Sequence, residues 1–182
     1  VCVSSTDFSG IDMLLKEINL LVPSADEAPA PEAVCGDDAV TVECSADKPF
    51  SAQVFKTVVD PFAGKMSYIK VMSGVLKADS SVLNTSTGET EKIGKLYTMF
   101  GKQQTEISQA EAGDIAVAVK INASTSDSLA DPSRAVVFDR IDFPVPCYSM
   151  AVCSAQGDES KISSGIQRIL CLLYTSPSPR DA

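Results

Sequence analysis

The sequence predicts a mainly β protein in which one antiparallel β-barrel lies between two short strand–helix units. Segments rich in Val, Ile, Tyr and Thr recur from about residue 40 to residue 141, and turn signals such as Ser73-Gly74 and Thr87-Gly88 separate them. No helical periodicity interrupts this series, and short strands at such spacing favour a compact antiparallel barrel. Helical periodicity is confined to the two flanking regions.

Residues 1–22 are predicted to form a strand followed by a helix. The β-branched run from Val1 to Ser5 favours a buried strand. Ser9, with Asp12 three residues later, gives a helix-capping signal, and Pro23 is expected to end the helix. One helical face carries the apolar residues Ile11, Leu14, Leu15, Ile18 and Leu21. We expect this unit to be unstable unless a sheet covers that face.

Residues 23–47 are predicted to be a linker, because they are rich in Pro, Ala and acidic residues and show no periodicity. Residues 1–47 contain ten acidic residues and one basic residue, whereas residues 48–182 contain 14 of each. The net charge of −9 is therefore a property of the N-terminal segment and says little about partners of the remainder. Within the linker, Asp37 and Asp38 are interpreted as solvated charges.

Residues 48–143 are predicted to form the barrel. In its third strand Ile69 and Val71 face one side and Lys70 faces the other, as expected for a half-buried strand. A later strand alternates apolar residues on one face, namely Ile115, Val117 and Val119. The predicted strands are residues 40–44, 51–59, 66–72, 91–99, 114–120 and 135–141.

Residues 144–170 are predicted to begin a further α+β unit. Pro144 and Pro146 mark the boundary, residues 147–154 favour a strand, and a helix is expected from about Asp158. The apolar stripe of that helix consists of Ile162, Ile166, Ile169 and Leu170. Residues 171–182 resemble the in-frame translation of a sequencing-library adapter, so we expect them to be disordered read-through.

The residue content disfavours several kinds of site. No histidine is present, so a Ser-His or Cys-His nucleophile pair cannot form within this sequence. No G-x-x-x-x-G-K-[ST] or G-x-G-x-x-G motif is available to hold nucleotide phosphates. The six cysteines lack a C-x-x-C spacing, which disfavours a zinc site, and we expect free, reduced thiols. Apolar runs fall well short of the roughly 18–20 residues that cross a bilayer, so no membrane partner is expected.

Four stretches resemble bacterial elongation factor G, a family of translational GTPases, and they follow that family's order. Residues 1–29 are similar to the last strand and helix of the family's GTPase domain. Residues 60–82 and 111–132 resemble strands and a turn of its second domain, and residues 138–152 resemble the crossing into its third domain. The resemblance implies an internal fragment in which a barrel of the translation-factor domain II type is flanked by an α/β GTPase remnant and the start of an α+β domain III.

The resemblance further implies a parent protein that uses GTP and magnesium to promote ribosomal translocation of tRNA and mRNA. The nucleotide-hydrolysing motifs of the family are absent from this sequence, so this chain is not expected to be catalytic or to bind those cofactors. Ser4 and Ser5 stand where the family has a Ser-Ala motif that contacts guanine. Any residue except proline can supply the backbone N–H for that contact, but a simple strand-end turn remains an equal interpretation.

The family relation also implies partners. We expect a cytoplasmic, monomeric factor that contacts small-subunit ribosomal RNA and proteins. Lysines of the barrel are the candidates for RNA phosphate contacts, with a merely solubilising surface as the alternative. These candidates are Lys65, Lys70, Lys77, Lys92, Lys95 and Lys102.

Two turns depart from the glycine that is usual in the family. Asp79 tolerates the left-handed conformation better than most residues, so its turn is expected to be kept. Ser126 tolerates that conformation less well, and we predict a turn of another type there.

Three other interpretations remain open. The chain also fits part of a ribosomal-protection GTPase of the tetracycline-resistance type, which shares the domain order. It also fits an isolated, non-enzymatic barrel that binds a partner. Finally, Asn84 and Asn122 begin N-glycosylation triplets, which would suit a secreted β-module with disulfides.

Overall fold

The structure is a computed structural model, and it describes residues 1–60, 64–101, 103–144, 147–148, 151, 162–163 and 165–166. Within these residues the chain is mainly β and its strand pairings are antiparallel, which confirms the predicted fold class. The elements are α1 (Ile11–Leu21), β1 (Glu32–Cys35), β2 (Asp38–Thr41), β3 (Ser51–Asp60), β4 (Gly64–Ser73), β5 (Val75–Lys77), β6 (Ser81–Asn84), β7 (Glu89–Lys92), β8 (Leu96–Phe100), β9 (Gln103–Ile107), β10 (Gln109–Glu111), β11 (Ile115–Val119), β12 (Ser128–Ala130) and β13 (Val136–Phe138).

An eight-stranded sheet forms the body of the fold, with the strand order β7-β6-β12-β3-β4-β11-β8-β9. A two-stranded sheet of β5 and β10 accompanies it, and β13-β1-β2 form a third sheet. The eight-stranded and two-stranded sheets curl into a barrel-like arrangement around one apolar cluster. Within the cluster, Ile69, Val71 and Leu129 have no exposed surface. Lys70 is exposed on the opposite face of β4, so the alternation predicted for this strand is confirmed.

Strand β11 buries its smaller residues in this core. Ala116 and Ala118 belong to the core cluster and are fully buried, whereas Val117 is buried outside that cluster. Ile115, on the same side as Val117, is 52% exposed. The predicted valine–isoleucine face therefore exists, but the alanine face is the one that lines the core.

The sequence prediction missed the polar strands and merged two others. Residues 91–99 were predicted to be one strand, but β7 ends at Lys92 and β8 begins at Leu96. Between these strands, Gly94 accepts a hydrogen bond from the backbone N–H of Asp79, which directs the chain away from a straight path. The strands without a strong apolar alternation are β5, β6, β9, β10 and β12.

Part of the predicted linker is a β-hairpin. Strands β1 and β2 pair around the turn at Gly36, which has a φ of 66°, a conformation that glycine adopts without strain. The hairpin pairs with β13 through β1 and covers a second small core that contains Val136 and Phe138. The interpretation of residues 23–47 as an irregular linker is therefore wrong for residues 32–39. The strand predicted at residues 40–44 overlaps β2, which begins at Asp38 and ends at Thr41. Two four-residue strands carried too few apolar positions to show a periodicity.

The N-terminal unit differs from its prediction in two respects. Residues 1–4 have no regular structure and residues 5–7 form a turn, so the predicted strand is absent because no neighbouring strand pairs with it. The helix forms and ends before Pro23 as predicted, but its N-cap is Gly10 instead of Ser9. The Ser9 hydroxyl donates to the Asp7 carboxylate instead of capping the helix. None of the residues of α1 is fully buried.

The C-terminal predictions are only partly covered by the described residues. Residues 162–163 and 165–166 are helical, in agreement with the predicted helix. Residues 147–148 and 151 are not in a strand, and the rest of the predicted strand at 147–154 lies outside the described residues. Residues 167–182, including the predicted read-through segment, also lie outside them. None of the helices among the described residues is long and apolar enough to cross a membrane.

The two turns without the usual glycine are both left-handed. Asp79 has a φ of 56°, as its turn was expected to require. Ser126 has a φ of 77°, so the prediction of a different turn type is wrong. The backbone N–H of Ser126 donates to Val54 at 2.7 Å, and the backbone N–H of Val54 donates to Asp127 at 2.9 Å. These bonds hold the backbone in a conformation that serine alone would disfavour.

Candidate nucleic-acid interface

An open cleft of about 430 Å³ lies where the ends of β7, β8 and β11 meet. Three lysines, one aromatic ring and one amide side chain line it, and we refer to it as the basic cleft. No acidic residue is among the residues that line it. The lining residues are Lys92, Gly94, Lys95, Tyr97, Gln104, Val119 and Lys120.

Strand ends place the lysines around the basic cleft. Lys92 is the last residue of β7, and Lys95 precedes the first residue of β8. Lys120 follows β11 and has a φ of 60°, which is uncommon for a residue other than glycine. Its backbone N–H donates to the carbonyl oxygen of Lys65 at 2.9 Å, which fixes the chain as it leaves the sheet. Strained backbone of this kind is often found at functional sites.

The three lysines of the basic cleft differ in their electrostatic partners. The Lys95 ammonium donates to the Glu106 carboxylate at 2.8 Å, and this hydrogen bond and the charge of Glu106 raise the pKa of Lys95. Both side chains are more than half exposed, so solvent screening leaves the pair little influence on stability. Lys92 and Lys120 take part in no salt bridge within the part of the chain that the structure describes. Their charges remain available to an anionic ligand.

Tyr97 and Gln104 add a planar ring and a hydrogen-bonding amide to the basic cleft. Tyr97 is the second residue of β8 and lines the cleft together with Lys95, which comes directly before this strand. Gln104 lies on the neighbouring strand β9, where it pairs with Met99. A ring beside several ammonium groups can stack on a base while the lysines hold phosphates.

The structure separates the lysines that the sequence singled out. Lys92 and Lys95 line the basic cleft, and Lys65 adjoins it through its backbone contact with Lys120. Lys70 is exposed near the other end of β4, where it pairs with Ile115. Lys77 lines a different, smaller hollow of about 120 Å³. Lys102 lies outside the described residues.

Sequence reasoning missed Lys120, Tyr97 and Gln104. Lys120 directly follows the alternating segment 115–119 in the sequence. A lysine at the end of a predicted strand is expected at the rim of a barrel, and this position was the available signal. Tyr97 was assigned to a strand, but the sequence does not show which residues of the neighbouring strands lie beside it, because that depends on strand register. Gln104 belongs to a polar strand that the sequence did not reveal.

Ser4 and Ser5, the candidate guanine-side residues, lie on a partly to fully exposed N-terminal loop. The Ser4 hydroxyl, followed by the hydroxyl and backbone N–H of Ser9, lowers the pKa of Asp7 to about 2. The backbone N–H of Ser4 donates to Ser9 at 3.0 Å. The hydroxyl and the backbone N–H of Ser4 are thus used within a local turn, and the guanine-side role of Ser4 and Ser5 stays a prediction.

Replacing Ser4 with alanine is expected to raise the pKa of Asp7 from about 2 toward its ordinary value of 3.8, because the main donor to its carboxylate is removed. Since the folded-state pKa is lowered, the contribution of these bonds is present above pH 3.8 and is lost as the pH falls through about 2. An NMR titration of the Asp7 carboxyl carbon measures the midpoint. Thr6→Ala is the matched control, and an unshifted midpoint in Ser4→Ala would contradict the assignment.

Asn84 and the cysteines bear on the alternative of a secreted β-module with glycans and disulfides. Asn84 has no exposed surface and its side-chain amide donates to Asp127 at 2.9 Å, so a glycan cannot be attached to it in this fold. Cys2, Cys35, Cys44 and Cys147 are free, and the other cysteines lie outside the described residues. Among the described residues, no three His, Cys, Asp or Glu side chains are grouped so that they could hold a metal ion.

Comparison with known families bears directly on the region that contains the basic cleft. The family model described as elongation factor G domain 2 matches residues 49–131, which make up a little under half of the 182-residue chain. The match includes all strands from β3 to β12 and every residue that lines the basic cleft. The antiparallel, barrel-like architecture of this region agrees with it. Residues 49–131 therefore make up a translation-factor domain II.

Proposed function

We propose that this chain is part of an elongation factor G-like GTPase that promotes GTP-dependent ribosomal translocation of tRNA and mRNA. The observation that carries the proposal is the family match over residues 49–131. The resemblance of the flanking residues 1–29 and 138–152 to the neighbouring domains of the same family supports it. In this proposal the chain acts in the cytoplasm as a monomeric factor with the ribosome as its partner.

We further propose that the basic cleft contacts the sugar–phosphate backbone of small-subunit ribosomal RNA. Lysine ammonium groups bind phosphates and release counterions, which favours binding to a polyanion. Lys92 and Lys120 are suited to this role, since neither is held in a salt bridge within the described residues. Lys95 would have to exchange Glu106 for a phosphate, so we expect a smaller contribution from it. Tyr97 can stack on an unpaired base.

The parent GTPase would bind GTP and magnesium. The hydroxyl and the backbone N–H of Ser4 are bonded within a local turn, and we assign Ser4 and Ser5 no step of GTP hydrolysis. Nucleotide binding would have to come from further sequence that carries a P-loop and an Asn-Lys-x-Asp motif. If the coding sequence upstream of Val1 lacks these motifs in frame, the proposal of a GTPase fails.

Reversing two charges in the basic cleft is expected to weaken binding to isolated small ribosomal subunits. The double substitution Lys92→Glu and Lys120→Glu should lower the affinity at least about tenfold at low salt, because phosphate contacts are replaced by repulsion. The slope of log affinity against log salt should become shallower by about 1 for each lysine that contacts a phosphate. Filter binding or fluorescence anisotropy across a salt series measures both quantities.

Lys16→Glu, on the exposed face of α1, is the control because it changes the net charge away from the basic cleft. If this control lowers the logarithm of the affinity by half as much as the double substitution does, general electrostatics would account for the effect. Unchanged affinity in the cleft variant would assign Lys92 and Lys120 to a solubilising surface.

We keep two alternative functions, a ribosomal-protection GTPase and a partner-binding barrel. A ribosomal-protection GTPase of the tetracycline-resistance type shares the domain order, and a translocation assay with the full-length factor would separate it from a translocase. A non-enzymatic barrel that binds a partner would require no GTPase sequence in the same reading frame.

A further inference from the structure

The chain leaves the barrel through residues 136–141, which we call the exit segment. Strand β12 lies next to it but cannot pair with it, because the two edges of β12 are already occupied by β3 and β6. Side chains of the barrel provide the hydrogen bonds instead. These bonds join Ser128 Oγ to Phe138 N at 2.9 Å, Ser126 Oγ to Ile141 N at 3.1 Å, Gln53 Nε2 to Asp139 O at 2.8 Å and Thr85 Oγ1 to Val136 O at 2.8 Å.

Ser128 provides the most buried of these contacts. Its side chain has no exposed surface, and its hydroxyl accepts from the backbone N–H of Phe138. The backbone N–H of Ser128 is itself bonded to the Ser86 hydroxyl at 3.1 Å, and its carbonyl oxygen accepts from Thr85. Ser128 is thus held on both sides of its own backbone. If the Ser128 hydroxyl is removed, the buried backbone N–H of Phe138 loses its acceptor. An unsatisfied buried donor is costly, so we expect the exit segment to be destabilised at this residue.

Ser126 holds the end of the exit segment from a strained position. It is 3% exposed, and its φ of 77° is one that glycine adopts more easily. Glycine would relieve the backbone strain, but it would also remove the hydroxyl that accepts from Ile141. The side chain therefore supplies a contact that the turn itself does not need.

The same segment also pairs with the chain that leads into the barrel. Strand β13 pairs with β1 from Ala33 opposite Phe138 to Cys35 opposite Val136. Strand β1 in turn pairs with β2 in the hairpin 32–41. The residues that precede the barrel and those that follow it consequently share one three-stranded sheet.

We propose that Ser126 and Ser128, assisted by Gln53 and Thr85, form a side-chain clamp that locks the exit segment onto the barrel. Through β13 the clamp also fixes the hairpin 32–41, so that both connections move with the barrel as one rigid body. A displacement of the chain on one side of the barrel is then transmitted to the other side. This proposal concerns the described part of the chain and does not depend on ribosome binding.

Amide hydrogen exchange of the 182-residue chain, followed by NMR, tests the clamp residue by residue. In Ser128→Ala we expect the amide of Phe138 to exchange about tenfold faster or more, since its acceptor is removed. In Ser126→Gly the amide of Ile141 should exchange faster by about the same factor, although the strained turn is relieved. The amides of Val71 and Ile93, whose hydrogen bonds to Asp114 and Ser80 lie in the barrel away from Ser126 and Ser128, should keep their exchange rates in both variants.

Two further variants separate the loss of the hydroxyl from the relief of backbone strain and from the loss of an unrelated hydroxyl. Ser126→Ala removes the hydroxyl but keeps the strain, so it should accelerate Ile141 as much as Ser126→Gly does. Ser124→Ala removes a neighbouring exposed hydroxyl and should change neither exit amide. The clamp is overturned if Phe138 and Ile141 keep their protection in the hydroxyl deletions. It is also overturned if the barrel amides accelerate in parallel with them, because the effect would then be global unfolding.

Discussion

Replacing Gly74 with alanine is expected to lower the free energy of unfolding by about 3–5 kcal/mol, the range of severe packing and backbone defects. Gly74 joins β4 to β5 with a φ of 69°, and a Cβ atom there would lie 2.6 Å from Cα of Phe50 and 2.7 Å from the carbonyl oxygen of Lys48. Both neighbours are backbone atoms, so no side-chain rotation can relieve the overlap. The strand connection itself would have to move.

Gly88→Ala provides the matched control for this prediction. Gly88 has a φ of 78°, but a Cβ atom at this position would meet nothing within 4 Å. Its substitution should therefore cost only the backbone strain, about 1–2 kcal/mol. Urea denaturation followed by far-ultraviolet circular dichroism measures both variants. Equal losses at the two positions would show that the close approach at Gly74 has no energetic consequence.

Replacing Asn84 with aspartate is expected to destabilise the fold by about 3 kcal/mol at neutral pH. The side-chain amide of Asn84 donates to the Asp127 carboxylate, while its carbonyl oxygen accepts from the backbone N–H groups of Ser86 and Thr87. Aspartate preserves the shape and both accepted bonds. It replaces the donor with a second carboxylate beside that of Asp127 in a buried place.

The destabilisation in Asn84→Asp should depend on pH in a defined direction. One proton shared between the two carboxylates restores a donor, so the folded state of the variant takes up that proton more readily than the unfolded state. The unfolding free energy of the variant, measured relative to the unchanged chain, should therefore recover as the pH falls. Asn19→Asp on the exposed side of α1 is the control, and it should show neither the loss nor the recovery.

The central strands could be predicted because apolar and polar residues alternate in their sequence as buried and exposed side chains alternate in the structure. In β4 a buried Ile69 and an exposed Lys70 alternate, as the pleat of a half-buried strand requires. Strand β9 gives no such record, since Gln103 to Glu106 are all exposed and polar. Its pairing with β8 depends on backbone hydrogen bonds that composition does not reveal. The hairpin 32–41 was hidden for the related reason that its strands are short.

Predictions from local residue preferences were wrong where contacts with distant parts of the chain decide the backbone conformation. Ser126 is a poor residue for a left-handed turn, and only the backbone hydrogen bonds between this turn and Val54 show why it adopts one. Likewise, a β-branched run at residues 1–5 predicts a strand, but a strand requires a partner that the described residues do not provide.

The candidate site was predictable in its chemistry but not in its geometry. Lys92 and Lys95 were among the barrel lysines that the sequence singled out, but the position of Lys120 after a strand did not show that it would join them. That convergence depends on the register that places β11 beside β8. The pairing of Lys95 with Glu106 follows from a second register, that of β8 against β9, and it reduces the weight that sequence alone would give to Lys95.

The polarity of β9 has a consequence for encounters between molecules. Among the described strands, β9 forms one edge of the eight-stranded sheet and therefore carries backbone groups that lack a neighbouring strand. An apolar strand in this position would recruit strands from other chains and seed aggregates. Glutamines, a threonine and Glu106 keep the edge hydrated and make such addition unfavourable. The residues that concealed β9 from pattern recognition thus act as gatekeepers against intermolecular β-sheet growth.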